Sequence, residues 1–208
     1  MLEAQKLAAR RGYTELFTGI GFRVNPGEAL VVTGANGTGK TTLLRILAGL
    51  STPASGEMSW NGAKVAPLDP VFRGVLAHSG HLPGLKDELT AEENLASLLA
   101  LDGETVTSDA VRKALHDVAL ARQRSLPARV LSQGQRRRVG LARLALLPRP
   151  LWILDEPTTA LDAEGTELLA RLLARHLANR GVVVAATHAP LRIDADRVRP
   201  LVLVGSLG

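Results

Sequence analysis

The stretch GANGTGKTT, residues 34 to 42, decides the fold. It fits the pattern G-x-x-x-x-G-K-S/T, and it stands in the context that pattern requires. Before it runs ALVVTG (29–34), almost wholly apolar, which reads as a buried strand. After it a helix is predicted from Gly39 to Leu50, with Leu43, Leu44, Ile46 and Leu47 on its core side. Strand, glycine turn and helix together make a phosphate cradle. The glycines let backbone N–H groups turn inward and approach phosphate oxygens with no Cβ in the way. The helix N-terminus adds partial positive charge. Gly34, Ala35, Asn36, Gly37, Thr38, Gly39, Lys40, Thr41 and Thr42 are therefore the candidate residues for binding ATP. Lys40 would reach the β- and γ-phosphates as a mobile point charge, and Thr41 would offer its hydroxyl to Mg²⁺. A glycine turn that merely capped an ordinary helix would not bring strand, glycines, lysine and helix into one alignment.

A second stretch, LWILDEP (151–157), supplies what a cradle lacks. Four apolar residues bury a strand, and Asp155 emerges at its carboxyl end, where ligands of open α/β sheets lie. Asp155 is the second candidate for the Mg²⁺ shell, through water. Glu156 follows at once and can polarise a water for in-line attack on a γ-phosphate. An acidic pair after a strand often only caps a helix. Beside a phosphate cradle it means more, because phosphoryl transfer needs metal, positioning and an oriented nucleophile.

Further strands are read in LEAQKLAA (2–9), EMSWNG (57–62), VLAHSG (75–80), VVVAAT (182–187) and VRPLVLV (198–204). PGE (26–28) is a turn and STPASGE (51–57) a loop. AEGTELLARLLARHLANRG (163–181) is an amphipathic helix stopped by Gly181. Alternating strands and helices predict parallel strands covered on both faces. The segment from about 85 to 147 breaks that alternation. Thr90 and Glu93 make a capping box ahead of ENLASLLAL, and SDAVRKALHDVAL is a second helix. This block reads as a helical subdomain inserted in a single domain spanning 1–208.

Composition bounds the rest. Aromatic residues are 3% of the chain, so Leu, Val, Ile and Ala must fill the core. Cysteine is absent, which excludes disulfides and thiolate metal sites and suits the cytoplasm. No stretch approaches the roughly 20 apolar residues of a membrane span. The net charge is +5, but arginines greatly outnumber lysines and are scattered along helices. That pattern predicts solvated helix faces and general membrane proximity rather than a nucleic-acid footprint.

LSQGQRRRVGLARLAL (131–146) looks at first like a DNA-reading helix. Its opening LSQGQ points elsewhere. With GANGTGKTT, LWILDEPTTALD and the ATH of residues 186–188, it resembles the ATP-binding cassette (ABC) ATPase family over nearly the whole chain. The family usually writes LSGGQ; here Gln133 replaces the first glycine while Ser132, Gly134 and Gln135 remain. The resemblance implies the P-loop NTPase fold: α/β, with a mainly parallel sheet, an antiparallel β edge and an inserted α-helical subdomain. It implies that the signature faces the γ-phosphate of ATP held by a second copy, so that the working form is an ATP-bound dimer. Ser132, Gly134, Gln135 and the helix dipole would supply that contact. Ala160-Leu161-Asp162 resembles the loop that crosses to the other protomer, which adds Asp162 to the nucleotide-binding set. His188 resembles the switch histidine that contacts the γ-phosphate and the catalytic glutamate. The catalytic set is then Glu156, His188 and Lys40. On the same reading Arg136, Arg137 and Arg138 are mostly surface and interdomain charges, with no direct nucleic-acid contact.

Two positions depart from the family pattern. His81 stands where the family has a glutamine that touches Mg²⁺ and the attacking water. The aromatic that stacks on adenine falls in Arg10-Arg11-Gly12-Tyr13, where an arginine plane or Tyr13 would serve. His78 and His81 suggest a heme or metal pair, but no cysteine or acid completes a site, and no direct heme ligation is expected. GHLPGLKDELTAEENL, the histidine at 81 and RLALLPRPLWILDEPTTALD resemble the ATPase subunits of bacterial cytochrome c maturation, the CcmA subfamily. That implies integral membrane permease partners (CcmB-like) and a peripheral place on the cytoplasmic face of the inner membrane. It implies ATP hydrolysis tied to heme export or to release of a heme-loaded chaperone. The docking surface would be the loop around His81 and the helices after Thr90. The alternatives are an ABC ATPase with another cargo, a soluble ABC protein of ribosomes or DNA, and a small-molecule kinase. The kinase reading leaves LSQGQ and His188 unexplained.

Overall fold

Leu2–Arg11 form strand β1 and Thr14–Val24 form β2, joined by the turn Gly12-Tyr13. Gly12 takes φ 60°, as the first central residue of a two-residue hairpin turn requires. The strand β2 was not foreseen from the sequence. Its pairing with β1 shifts register three times, Lys6 sits at φ 49°, and Gly19 and Gly21 interrupt it. Bulges of this kind erase the period-2 alternation by which a strand is recognised. The structure is a computed structural model and describes residues 1–80 and 84–205.

Two compact units emerge. The first holds Met1–His78, Arg149–Pro157 and the chain from Leu173 onward; the second holds Ser79–Pro148 and Thr158–Leu172. The helical unit thus takes in 158–172 besides the expected block of about 85–147.

Within the first unit, β1 and β2 join β4 (Ser55–Trp60) and β5 (Ala63–Lys64) in an antiparallel sheet of order β2-β1-β4-β5. Asn61 and Gly62, both at positive φ, make the Asn-Gly hairpin turn between the last two. These strands form a sheet of their own beside a five-stranded one of order β6-β7-β8-β3-β9. Its members are β3 (Ala29–Thr33), β6 (Leu76–Ser79), β7 (Leu151–Asp155), β8 (Val182–Ala186) and β9 (Val198–Val202). The pairs β7/β8, β8/β3 and β3/β9 are parallel. Every residue of β7 and β8 is buried, which is why both read as unbroken apolar runs.

Helix α1 (Lys40–Leu47) buries Leu43, Leu44, Ile46 and Leu47, the four predicted core residues. It stops three residues short of the predicted Leu50, because Gly49 turns left-handed at φ 69°. There the N–H of Leu50 donates to the Arg45 carbonyl and that of Gly49 to Ile46, a Schellman ending. A one-turn helix α2 (Pro70–Arg73) precedes β6.

The helical unit contains α3 (Ala91–Leu101), α4 (Ser108–Asp117), α5 (Gln133–Leu146) and the first turns of α6 (Ala163–Ala178). The Thr90–Glu93 capping box is formed: Thr90 N–H donates to Glu93 and Glu93 N–H to Thr90 Oγ1. Buried Asn94 ties the segment before the box to α3, donating to the carbonyls of Lys86, Leu89 and Thr90 and accepting from Lys86 N–H. Among the described residues no helix is long and apolar enough to cross a membrane.

The end of α6 corrects one expectation. Arg180, not Gly181, takes the left-handed position at φ 61°. Gly181 is needed for space, since a Cβ there would stand 2.3 Å from Nε2 of His176. His176 stacks on Trp152 with centroids 4.0 Å apart and planes at 13°, and its Nε2 lies 3.3 Å from the Val182 carbonyl. Burial pushes the His176 imidazole pKa below its ordinary 6.5. The folded chain therefore holds this ring neutral while the unfolded chain protonates it. The stability so contributed is complete above pH ~6.5 and is lost as pH falls from there toward the lower folded value. The urea midpoint should drop between about pH 7.5 and 5.5, and His176→Phe should flatten that slope. An unchanged slope in the variant would assign the drop to other groups.

Candidate active site

The loop after β3 shows why it is rich in glycine. Gly34, Gly37 and Gly39 take φ of 147°, 87° and 98°. A Cβ on Gly34 would stand 2.4 Å from the Leu203 carbonyl oxygen, and one on Gly39 would press on Phe17 and Leu16 at 3.0–3.2 Å. Gly39 begins α1 with no side-chain cap and no acid in the first turn, which leaves that helix end to an outside acceptor. Lys40 lies almost buried inside the loop, its ammonium donating to the carbonyls of Gly34 (2.7 Å) and Ala35 (3.1 Å). Thr38 Oγ1 donates to Ala35 as well.

Register brings the acids to the same edge. Val32 of β3 pairs with Ala186 of β8, and Ala186 pairs with Asp155 of β7. Asp155 is 6% exposed, and its Oδ2 accepts from Thr41 Oγ1 at 2.9 Å. A carboxylate and a hydroxyl that meet at a helix start fit Mg²⁺, which prefers oxygen donors and keeps waters and substrate phosphates as its other ligands. Among the described residues no three of His, Cys, Asp and Glu cluster as a self-sufficient metal site.

Glu156 stands next along the same edge at φ 47°, a conformation uncommon for a side chain other than glycine. Its N–H donates to the Ala186 carbonyl at 2.8 Å. Its carboxylate accepts from His188 N–H at 3.4 Å and lies 3.6 Å from His188 Nε2. The same Nε2 is 3.0 Å from Oδ1 of Asn36 in the glycine loop. A tight turn holds the histidine, with Thr187 Oγ1 donating to the Ala189 carbonyl and accepting from Ala189 N–H. The structure therefore brings Asn36, Lys40, Thr41, Asp155, Glu156 and His188 together in one unit. Arg10, Arg11 and Tyr13 sit at the exposed tip of the β1–β2 hairpin, whose Phe17 packs beside Gly39. His81 lies outside the described residues, and His78 is in β6.

In the helical unit Ser132 caps α5. Its Oγ accepts from Gln135 N–H at 3.2 Å, and Gln135 Oε1 accepts from Ser132 N–H at 2.9 Å. S-x-x-Q is a capping-box pattern, a signal present in the sequence and passed over there. The box still leaves the Ser132 hydroxyl proton to donate. Gln133 is the first helical residue and exposed, so a side chain in place of the usual glycine meets nothing that must move. Gly134 differs, since a Cβ there would stand 2.8 Å from the Ala160 carbonyl oxygen.

The arginines are not the surface charges expected. Arg137 and Arg138 are 5% and 6% exposed. Arg137 donates to the Gly80 carbonyl, Arg136 pairs with Asp87, and Arg138 bonds Asp162 (2.7 Å) and Glu164 (2.8 Å). Their partners lie far away in sequence, which is why the triplet alone read as exposed.

Residues 17–159 match the family described as ABC transporter. The chain belongs to the ABC transporter family. Its enzymatic class is that of an ABC ATPase. It is 49% identical to the cytochrome c biogenesis ATP-binding export protein CcmA of Nitrosomonas europaea, covering 98% of this chain and 95% of that one. The protein of the same name in Pseudomonas aeruginosa is also 49% identical, over 95% of this chain and 97% of that one. Among solved structures, an ABC transporter ATP-binding protein of Pyrococcus furiosus superposes with a TM-score of 0.81 at 26% identity, covering 96% of each chain. A dimeric ATP-binding cassette bound to ADP and Pi shares the fold, with a TM-score of 0.80 at 24% identity over 97% of this chain and 94% of that one.

The ABC cassette's glycine loop offers a graded test. Gly34→Ala forces both a disfavoured φ and a clash with fixed backbone, whereas Gly37→Ala meets nothing within 4 Å. Gly37→Ala should cost about 1–2 kcal/mol and Gly34→Ala at least about 3, read as shifts of the denaturant midpoint. Equal costs would show that Leu203 yields freely.

Proposed function

We propose that this chain hydrolyses ATP for a membrane complex of cytochrome c biogenesis, working as a pair of copies. The observation that carries the ATPase reading is the shared edge where Lys40, the Thr41–Asp155 pair and the Glu156–His188 pair meet. In this reading Lys40 exchanges its two loop carbonyls for the β- and γ-phosphates. Backbone N–H groups of 34–42 hold the remaining phosphate oxygens. Thr41 and Asp155 would hold Mg²⁺, which would supply positive charge to the phosphate oxygens. The strained Glu156 backbone aims its carboxylate at a water. That water attacks the γ-phosphorus, the bond to the ADP oxygen breaks, and Glu156 takes up the proton. His188 holds Glu156 on one side and reaches the γ-phosphate on the other. Ser132 and Gly134 of a second copy close on the same triphosphate from the N-terminus of α5.

The wider role rests on near-full-length likeness to proteins named for cytochrome c biogenesis and export. By that likeness the partners are integral permease subunits (CcmB-like), the location is the cytoplasmic face of the inner membrane, and the cargo is heme or a heme-loaded chaperone. The helical segment is a subdomain of one cassette. Arginines 136 to 138 are already engaged by Asp87, the Gly80 carbonyl, Asp162 and Glu164, which argues against direct nucleic-acid contact.

Lys40→Ala should abolish nucleotide binding or turnover. Glu156→Gln should bind ATP, hydrolyse it at least about 100-fold more slowly, and accumulate as an ATP-bound dimer in sedimentation. Parent-like turnover in Glu156→Gln would move the base elsewhere. Capture of the chain with its partners from membranes tests the wider role, and recovery of a permease unrelated to cytochrome c biogenesis would replace it.

A further inference from the structure

Three features of the helical unit converge on one side chain. Arg138, 8% exposed in its side chain, lies on α5 two turns in from the Ser132 cap. Its guanidinium reaches Asp162 Oδ1 at 2.7 Å, Glu164 Oε2 at 2.8 Å and the Val118 carbonyl at 3.3 Å. Asp162 Oδ1 also accepts from Gly165 N–H at 2.8 Å, so it caps α6 with the atom that meets the arginine. Next to this knot Ala160 sits left-handed at φ 63°, and its carbonyl presses so closely on Gly134 that only glycine fits. Ser132, Gly134, Arg138, Ala160 and Asp162 line one cavity of about 490 Å³.

We propose that Arg138 is a positioning residue that fastens the Ala160–Asp162 loop to the signature end of α5, so that both meet the second copy as one rigid piece. The inference rests on the two-copy reading given above. It also gives Asp162 a different task. The carboxylate is spent on Gly165 N–H and Arg138 rather than on nucleotide, and those bonds hold its pKa below the ordinary carboxylate value. Geometry favours a fastening over a fold-stabilising ion pair. Both carboxylates are 68% exposed, so removing the arginine strands no buried charge. What is lost is the fixed angle of a left-handed loop that has no other side-chain tie to α5 among the bonds described. Nη2 donates to both carboxylates while Nη1 reaches the Val118 carbonyl, a planar two-nitrogen spread that a lysine ammonium cannot reproduce in the same geometry.

The test uses the full chain with Arg138→Met, Arg138→Lys and Asp162→Asn. A fluorescent ATP analogue measures binding to the single copy, turnover gives kcat and KM, and sedimentation with ATP in the Glu156→Gln background gives dimer affinity. Arg138→Met should bind nucleotide within about twofold of the parent, keep KM, and lose kcat and dimer affinity by about tenfold to a hundredfold. Asp162→Asn should act in the same direction, and the double variant should be no worse than Arg138→Met alone. Arg138→Lys should recover part of the loss. Parent-like kcat and dimerisation in Arg138→Met would overturn the inference. So would a loss of nucleotide binding matching the loss of turnover, since that marks a general structural defect. If the Glu156→Gln parent itself forms no ATP-dependent dimer, the two-copy reading falls first and the inference falls with it.

Discussion

Three neighbouring parallel strands, β3, β8 and β7, end in register, and the candidate site of the first unit hangs from that edge. Inside the sheet both faces are buried, so only apolar side chains are tolerated along VVVAA and LWIL. Polarity is admissible only where the ladder stops. Asp155, Glu156, Thr187 and His188 all stand within two residues of that stop, as does the glycine loop that leaves β3. Parallel pairing matters here. Antiparallel neighbours would send alternate strand ends to opposite sides and split the acids from the cradle. The deep burial of Asp155 is tolerable because Thr41 donates to it across the edge. One hydrogen bond thus links the start of α1 to the end of β7.

Backbone strain follows the same map, though not exclusively. Of the residues other than glycine at positive φ, Glu156 and Ala160 lie where the proposed chemistry needs a defined angle. Each such position costs of order 1–3 kcal/mol, which the surrounding packing must offset. The others have local reasons: Lys6 sits in a strand irregularity, Asn61 in a hairpin turn, Leu68 in the turn before α2, and Ala119 and Arg180 beyond helix ends. The core that meets these costs is built almost without aromatic rings. Leu2, Leu7, Leu30, Leu43, Leu44 and Leu47 are all at or below 2% exposure. Leucine and valine pack a sheet against helices well, and they leave few polar atoms to satisfy.

What could be read beforehand was whatever has a period or a fixed spacing. The apolar runs of β3, β7 and β8, the core face of α1 and the Thr90 capping box follow from local rules, and each is present. Strand β2 escaped because its bulges break the alternation. The cap on α5 escaped because Ser132 and Gln135 were read only as parts of a signature, when the same letters also satisfy a helix start. The tolerance of Gln133 could not be judged from letters at all. It depends on which of two adjacent positions faces the Ala160 carbonyl, and that is a fact of packing.

The arginine excess has the same lesson in electrostatics. A pI near 10.2 invites a search for a polyanion. Yet the arginines that stand out in the sequence are used within the chain. Arg143 grips Asp102 with two parallel bonds of 2.6 and 2.7 Å, Arg138 meets two acids through one nitrogen and the Val118 carbonyl through another, and Arg199 holds Glu28 at 2.6 Å. The first two are planar contacts that use more than one guanidinium nitrogen, which a point-charge ammonium reproduces poorly. Arginine is therefore favoured over lysine wherever such a fork is called for, whatever the chain binds. Net charge alone cannot tell such internal use from an external patch. The distinction lies in whether each guanidinium already faces an acceptor on its own chain, and in the signature helix it does.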